Sequence, residues 1–467
     1  MRNFILVFLL FLITSLSNAK VYDPKDLKST PLKPVRKLKF IKKVLPNGIK
    51  LFIYEDHTLP IFEFSGFFKA GYLYLPYRKG HIPSASMKMM EIGGTESQSP
   101  EIIEDWFERN AAGIRFWGDS ELCGFDGNCL IEHRTQLLIF FKEILLKPRF
   151  DEKRFDIFKK QQIESIIRNR DRPSWLAHVA FNKLMYGKDT IWGWKPTEDD
   201  FKSLSREDLV SWHKKWVTPG NMYIAIAGDF NAEEVSREVE KLFDSWNESP
   251  PDFPQIEKVR EDYPAGIYLL PKEVEQASIV MGHFGVKRWS DKKIQISMFN
   301  QIFGYDGFAS VLIQVVRNEL GYAYAVWGGI GEGIDKGLFR TVCYTKPSSV
   351  INAIDAMIKV INDMQLNTPS DTTMSVFKEK MQNQWAFRYE NSMSVLKQEM
   401  IREFFKRPEN EDEMDLEAFM KVKPDEVKAV AGDLINTNKL LIVVVGPKEL
   451  ESHLAKYGKV NIINIEN

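Results

Sequence analysis

Apolar positions along the chain fall into two kinds of run. Short blocks of continuous or alternating apolar residues, at 49–54, 61–68, 224–228, 267–270 and 442–446, predict β-strands, several of them buried on both faces. Longer stretches carry helical spacing: residues 100–112, with Ile102, Ile103, Trp106 and Phe107 on one side, then 151–170, 206–216 and 232–243. One run fits neither kind. Residues 4–13 are uninterrupted apolar, follow Arg2 and precede Ser17-Asn18-Ala19, the layout of a secretory leader cut after Ala19. The run is too short for the ~20 residues that span a bilayer. The mature chain is therefore expected in the periplasm or outside the cell, without a membrane span.

The pattern repeats. Pro46-Asn47-Gly48 precedes one predicted strand and Pro264-Ala265-Gly266 another, an offset of 266 − 48 = 218; two further strands end at Gly228 and Gly446, again 446 − 228 = 218. Each of these glycines is followed by an acidic, helix-like stretch, 232–243 and 448–457. Equal offsets predict a duplicated domain. The expected division is a leader at 1–19, a first domain at 20–246, a breaker-rich linker at 247–262 and a second domain at 263–467. Strand pairs followed by helices and then more strands predict an α+β fold, each half a mostly antiparallel sheet covered by helices on one face.

Composition narrows the chemistry. The 467 residues hold 63 Lys+Arg against 64 Asp+Glu, a net charge of −1, so no global field attracts nucleic acid or anionic lipid. Three cysteines cannot build a disulfide framework or a four-thiolate zinc site. Cys123 and Cys129, on one extended strand, would stand about 20 Å apart, too far for a bridge unless the chain reverses at Gly127-Asn128, and are expected as free, mostly buried thiols. The seven histidines never fall within a helical turn of each other, which excludes a histidine pair on one helix. His81, two residues ahead of Pro83, reads as a structural residue of a pre-helix loop. Residues 328–333 are glycine-rich but lack the Lys-Ser/Thr of a phosphate loop and read as a turn between strands. The basic runs 39–43 and 168–172 read as solvated faces, and Trp192 and Trp194 as core residues.

LPNGIKLFIYEDHTLPIFEFSGFFKAG, then a helix with Gly94-Thr95, then TPGNMYIAIAGDF, resembles the amino-terminal half of the insulinase/pitrilysin-type (inverzincin) zinc metallopeptidases, which include mitochondrial processing peptidases. The resemblance extends over essentially the whole mature chain. It implies that family's LuxS/metallohydrolase-like fold and an H-x-x-E-H helix whose histidines bind zinc, with Glu activating water and a downstream Glu completing the ligands. Aligned on Gly94-Thr95, this chain places Ala85 and Met89 at the histidine positions, Lys88 at the catalytic Glu and Ser165 at the downstream ligand. None of the four can do the original work. A register one residue different would put Glu164 in the last position, and a lone carboxylate does not hold zinc.

The second half keeps what the first lacks. Arg317-Asn318-Glu319-Leu320-Gly321-Tyr322-Ala323-Tyr324 resembles the family's R-x-x-x-G-x-A-Y segment. A helix at 313–320 is expected to end at Gly321 and lead into a strand at 322–327, aiming Arg317 and Tyr324 at one place. In the family this pair is held to bind the substrate backbone beside the scissile bond. The turn Gly304-Tyr305-Asp306-Gly307 is shorter than the glycine-rich loop of the mitochondrial non-catalytic subunit, so presequence specificity is not implied.

The resemblance thus implies a pseudopeptidase subunit with no cofactor of its own. Zinc would reside only in an H-x-x-E-H partner, and Arg317 and Tyr324 would serve unfolded peptides bound between the two. The competing expectation is a structural or assembly protein, like the respiratory core subunits of the same family.

Overall fold

The computed structural model describes residues 38–464, so the expected leader at 1–19 lies outside the described residues. The first half builds a six-stranded sheet from β1 (Ile41–Val44), β2 (Lys50–Glu55), β3 (Ile61–Lys69), β4 (Gly113–Gly118), β5 (Leu122–Leu130) and β6 (Met222–Gly228), in the order β1-β2-β6-β3-β5-β4. Only the β2/β6 pair is parallel. The second half has β7 (Gly266–Pro271), β8 (Ala277–Phe284), a short β9 (Val286–Lys287), β10 (Ala325–Ile330), a short β11 (Glu332–Gly333), β12 (Leu338–Thr345), β13 (Leu441–Gly446) and β14 (Val460–Ile462). Its main sheet runs β10-β12-β8-β13-β7-β14, the same β2-β6-β3-β5-β4 order mirrored in β7-β13-β8-β12-β10.

The repeat is not a rigid 218-residue shift. Strand starts Lys50 and Gly266 differ by 266 − 50 = 216, as do Leu122 and Leu338 (338 − 122 = 216), whereas helix starts Arg206 and Pro424 differ by 424 − 206 = 218. The two additional residues enter around the helix Val350–Leu366, longer than its counterpart Arg134–Leu146. Gly48 and Gly266 are therefore not equivalent. Gly48 sits two residues ahead of β2 at φ +92, where its Cα faces Gly220 so closely that a Cβ would stand 2.9 Å from the Gly220 Cα.

Within each half the strands alternate their side chains between two faces. Leu51, Ile53, Phe62, Phe64, Ile224 and Ile226 point into a core closed by the helices Ile82–Ile92, Arg134–Leu146, Arg206–Trp216 and Ala232–Phe243. Ile267, Leu269, Ile279, Met281, Ile442 and Val444 do the same under Val350–Leu366 and Pro424–Leu434. These are the helices expected on one face. The opposite faces are apolar too, and each is covered by a single helix from the other half. Helix Pro173–Tyr186 of the first half sets Leu176, Ala177, Phe181 and Met185 on Tyr268, Val280, Val342 and Val443. Helix Ser392–Phe404 of the second sets Met393, Leu396 and Met400 on Phe52, Phe67, Tyr223 and Ala225. The exchange is reciprocal, so neither sheet is completed by its own half alone. Continuous apolar character in β6 and β13 has this cause: both faces are buried.

Three other sequence expectations change. Gly328, Gly329 and Ile330 lie inside β10, and Glu332–Gly333 forms β11 paired with β9, so the glycine-rich run is strand rather than a free turn. Trp192 and Trp194 are half-buried and line cavities instead of filling the core. The helix expected at 448–457 is confined to Leu450–Leu454 and a tighter final turn. Cys123 and Cys129 share β5 and, with Cys343, are free and buried. Among the described residues no helix is long and apolar enough to cross a membrane.

Candidate functional site

Helix Ile82–Ile92 begins with Pro83 in its first turn and stops at Gly93. Ala85 is 1% exposed and Met89 0%, both packed in the first core beside Met87 and Met90. Lys88 lies on the outer side and pairs with Glu91 one turn on. The second Glu91 oxygen accepts the backbone N–H of Phe116 at 2.9 Å, on the outer side of the edge strand β4. Ser165, on helix Glu152–Asn169, shares a cavity of about 310 Å³ with His81, one turn ahead of Ala85, and with Ser84, the residue before Ala85. Glu164 points to solvent, 64% exposed, and among the described residues pairs only with Arg168. Zinc does not fit these residues: two aliphatic side chains in a packed core, a lysine and a serine offer no donor set. Among the described residues no three His, Cys, Asp or Glu side chains converge to hold a metal.

His81 caps this helix rather than standing in a loop before it. Its ring packs edge-on against Phe201 at 5.3 Å and near Trp194 at 5.9 Å. Neither ring nitrogen makes a well-formed hydrogen bond, and burial holds its pKa below the ordinary value, so it stands neutral in the wall of the cavity.

Arg317 occupies the last turn of Ile313–Glu319, a widened π-helical segment of the kind often found at functional sites. The Leu320 N–H bonds the Val315 carbonyl at 3.0 Å and the Tyr322 N–H bonds the Val316 carbonyl at 2.9 Å. Gly321 takes φ +67 and donates its N–H to the Arg317 carbonyl at 3.2 Å, the left-handed cap that only glycine adopts without strain. The chain does not enter the strand at once. Tyr324 stands one residue ahead of β10, its N–H already bonded to the Tyr344 carbonyl at 2.8 Å. Its ring is 50% exposed, so it does not pack into the core. Arg317 is exposed as well. Neither side chain makes a hydrogen bond or ion pair among the described residues. The glycine cap thus leaves a guanidinium and a phenol free on the two sides of one turn.

The sequence reading gave a neighbouring residue, Asp306, no role of its own. Gly304 and Tyr305 end a π-helical segment, Gln301–Tyr305, rather than opening the expected turn, and Asp306, which follows it, is buried, accepts the N–H groups of Phe308 and Ala309 at 3.1 and 3.0 Å, and pairs with Lys380. Burial alone would raise its pKa, but the Lys380 and backbone hydrogen bonds hold it below the usual carboxylate value. The turn so fixed presents Phe308, 80% exposed, and is tied by the Gln314 amide to the helix that carries Arg317. The signal was an Asp two residues before an aromatic in a glycine turn, an Asx arrangement.

Residues 203–380, which include the Arg317 and Tyr324 turn, match the family model "Peptidase M16 inactive domain". The chain is similar to an "Uncharacterized zinc protease" of Rickettsia bellii, 25% identical over 265 residues, covering 56% of this chain and 62% of that relative. Among solved structures, the peptidase M16 inactive domain from Pseudomonas fluorescens superposes with a TM-score of 0.77 at 21% identity, covering 88% of this chain and 98% of that one. The periplasmic protease PqqL from Escherichia coli gives a TM-score of 0.73 at 11% identity, and there 94% of this chain accounts for 50% of the other.

Proposed function

From the premise that this chain carries an M16 peptidase inactive domain on an M16-type fold, we propose that it is the non-catalytic subunit of a heterodimeric, periplasmic zinc metallopeptidase. Its contribution is Arg317 and Tyr324, offered to a peptide held against a zinc-bearing partner. The observation that carries this reading is the contrast between the two halves. Helix Ile82–Ile92 buries alanine and methionine where the resemblance implies ligands, while the second half exposes an unpaired arginine and tyrosine on a glycine-capped turn. The guanidinium donates in a fixed fork to a peptide carbonyl, and the Tyr324 hydroxyl donates one further hydrogen bond. Phe308 adds an apolar contact for an extended chain. The partner supplies the metal. That this chain corresponds to half of a longer periplasmic protease supports an assembly of two such chains.

Co-expression with an H-x-x-E-H relative from the same genome tests the reading. The expected result is a 1:1 complex that survives gel filtration at micromolar concentration and cleaves peptides, with zinc brought by the partner and none held by this chain on its own. Separate monomers, or cleavage by this chain alone, would overturn it.

A further inference from the structure

Between the two halves lies a cavity of about 380 Å³ that the proposed peptide site does not use. Its floor is β12, where Arg340 stands opposite Gly329 of β10 on one side and Gly282 of β8 on the other. Both cross-strand neighbours lack side chains, so the guanidinium lies in a notch of the sheet. Tyr305 packs on the Gly329 backbone so closely that a Cβ there would meet its ring at 2.5 Å. From the first half come Tyr72, Tyr186 and Trp192; Trp327 closes the second-half side. Tyr186 and Trp192 stack with centroids 6.3 Å apart, and the Tyr186 hydroxyl donates to the Lys336 carbonyl at 3.1 Å.

Of the four charged side chains that line this cavity, Arg288 and Lys336 are paired, while Arg340 and the solvent-exposed Glu332 have no ion pair among the described residues. Arg288 is neutralised by Glu121 and Lys336 by Glu261 at 3.2 Å. Arg340 is half-buried and makes neither an ion pair nor a hydrogen bond among the described residues. A half-buried guanidinium whose five donors meet no protein acceptor offers them to an anion. Burial raises the pKa of Tyr186 to about 12 and that of Tyr305 as well, and the nearby Arg340 charge opposes the rise in both. Glu332 lines the same space and is solvent-exposed, which favours a singly charged anion over a doubly charged one. The volume falls in the range of small-molecule sites, roughly 300 to 1,000 Å³.

We propose that this cavity binds a small carboxylate carrying a planar apolar group, with Arg340 taking the carboxylate bidentately and the tyrosine and tryptophan rings enclosing the body. No partner subunit is required, so the proposal stands or falls apart from the peptidase reading. The experiment is calorimetric titration of the full mature chain alone with N-acetyl-L-phenylalanine, N-acetyl-L-phenylalanine amide and inorganic phosphate. Saturable binding of the acid is expected, with amide and phosphate at least tenfold weaker. Arg340→Met should weaken the acid at least tenfold without lowering the thermal midpoint. Arg340→Lys, which keeps the charge and loses the fork, should weaken it severalfold and serves alone if the first variant fails to fold. Absence of saturable acid binding, equal affinity for acid and amide, tighter binding of phosphate, or unchanged affinity in the folded variants would overturn the proposal.

Discussion

The Glu91 carboxylate holds the Phe116 N–H at 2.9 Å on the open edge of the first sheet. An edge strand presents unpaired N–H groups that another chain can pair with, and here one of them is closed by a side chain that also holds Lys88. Lys88 and Glu91 therefore work as edge cover on a helix that has no ligands to present.

Glu91→Ala leaves the Phe116 donor without its charged acceptor. A hydrogen bond to a charged group contributes about 1.5 to 3 kcal/mol, so urea unfolding should show a loss in that range. A change within about 0.5 kcal/mol, as for an ordinary surface site, would refute the role given to Glu91.

Restoring the family motif should not restore the metal. Histidines at positions 85 and 89 would enter a packed core, where overpacking costs about 1 to 3 kcal/mol, and Ser165 faces a cavity beside His81 instead of completing a ligand set. Elemental analysis of the purified chain should find no stoichiometric zinc. The triple variant Ala85→His, Lys88→Glu, Met89→His should be less stable and equally free of zinc.

The exchanged helices make the halves one folding unit. Phe181 and Leu396 are both fully buried on a sheet of the other half. Phe181→Ala should cost about 3 to 5 kcal/mol and Leu396→Ala about 2 to 5, and both should shift a single transition. Two separable transitions in calorimetry, only one of them moved by each variant, would contradict the exchange.

His178 lies on one of these helices, and burial, assisted by the Arg340 charge, pushes its pKa from 6.5 down to about 4. The unfolded chain then binds a proton at a pH where the folded one does not. Stability is present above pH 6.5 and is lost as pH falls toward 4. His213 and His283 are lowered by burial in the same sense. His57, raised by Asp229 and Glu55, acts oppositely: its contribution is present below 6.5 and fades as pH rises through its folded value. Denaturant melts from pH 4 to 8 should show a slope that His178→Gln reduces; an unchanged slope would remove His178 from the account.

Much of the fold was legible because local pattern and tertiary role coincide. Residues 206–216 and 232–243 are amphipathic against their own half, and the structure forms helices over those residues. The exchange was not legible, since the apolar side of Pro173–Tyr186 reads the same whichever sheet it covers. The Arg317 turn was readable through Gly321, whose position fixes a left-handed cap; Tyr324 was misplaced into β10 because its apolar surroundings mimic a strand that begins one residue later. Arg340 gave no signal, because what sets it apart is the absence of side chains on two neighbouring strands.

The central claim is that Arg317 and Tyr324 act on chemistry performed in a partner. It is tested by peptide cleavage with the reconstituted complex, zinc content and complex size being checked for each variant. From hydrogen bonds of about 1.5 to 3 kcal/mol for Arg317 and 0.5 to 1.5 for Tyr324, at 1.36 kcal/mol per decade, Arg317→Ala should lower kcat/KM roughly 10- to 150-fold and Tyr324→Phe roughly 2- to 12-fold. Neither variant should release zinc or dissociate the complex. Full activity in the Arg317→Ala, Tyr324→Phe double variant would contradict the account and leave this chain a structural role.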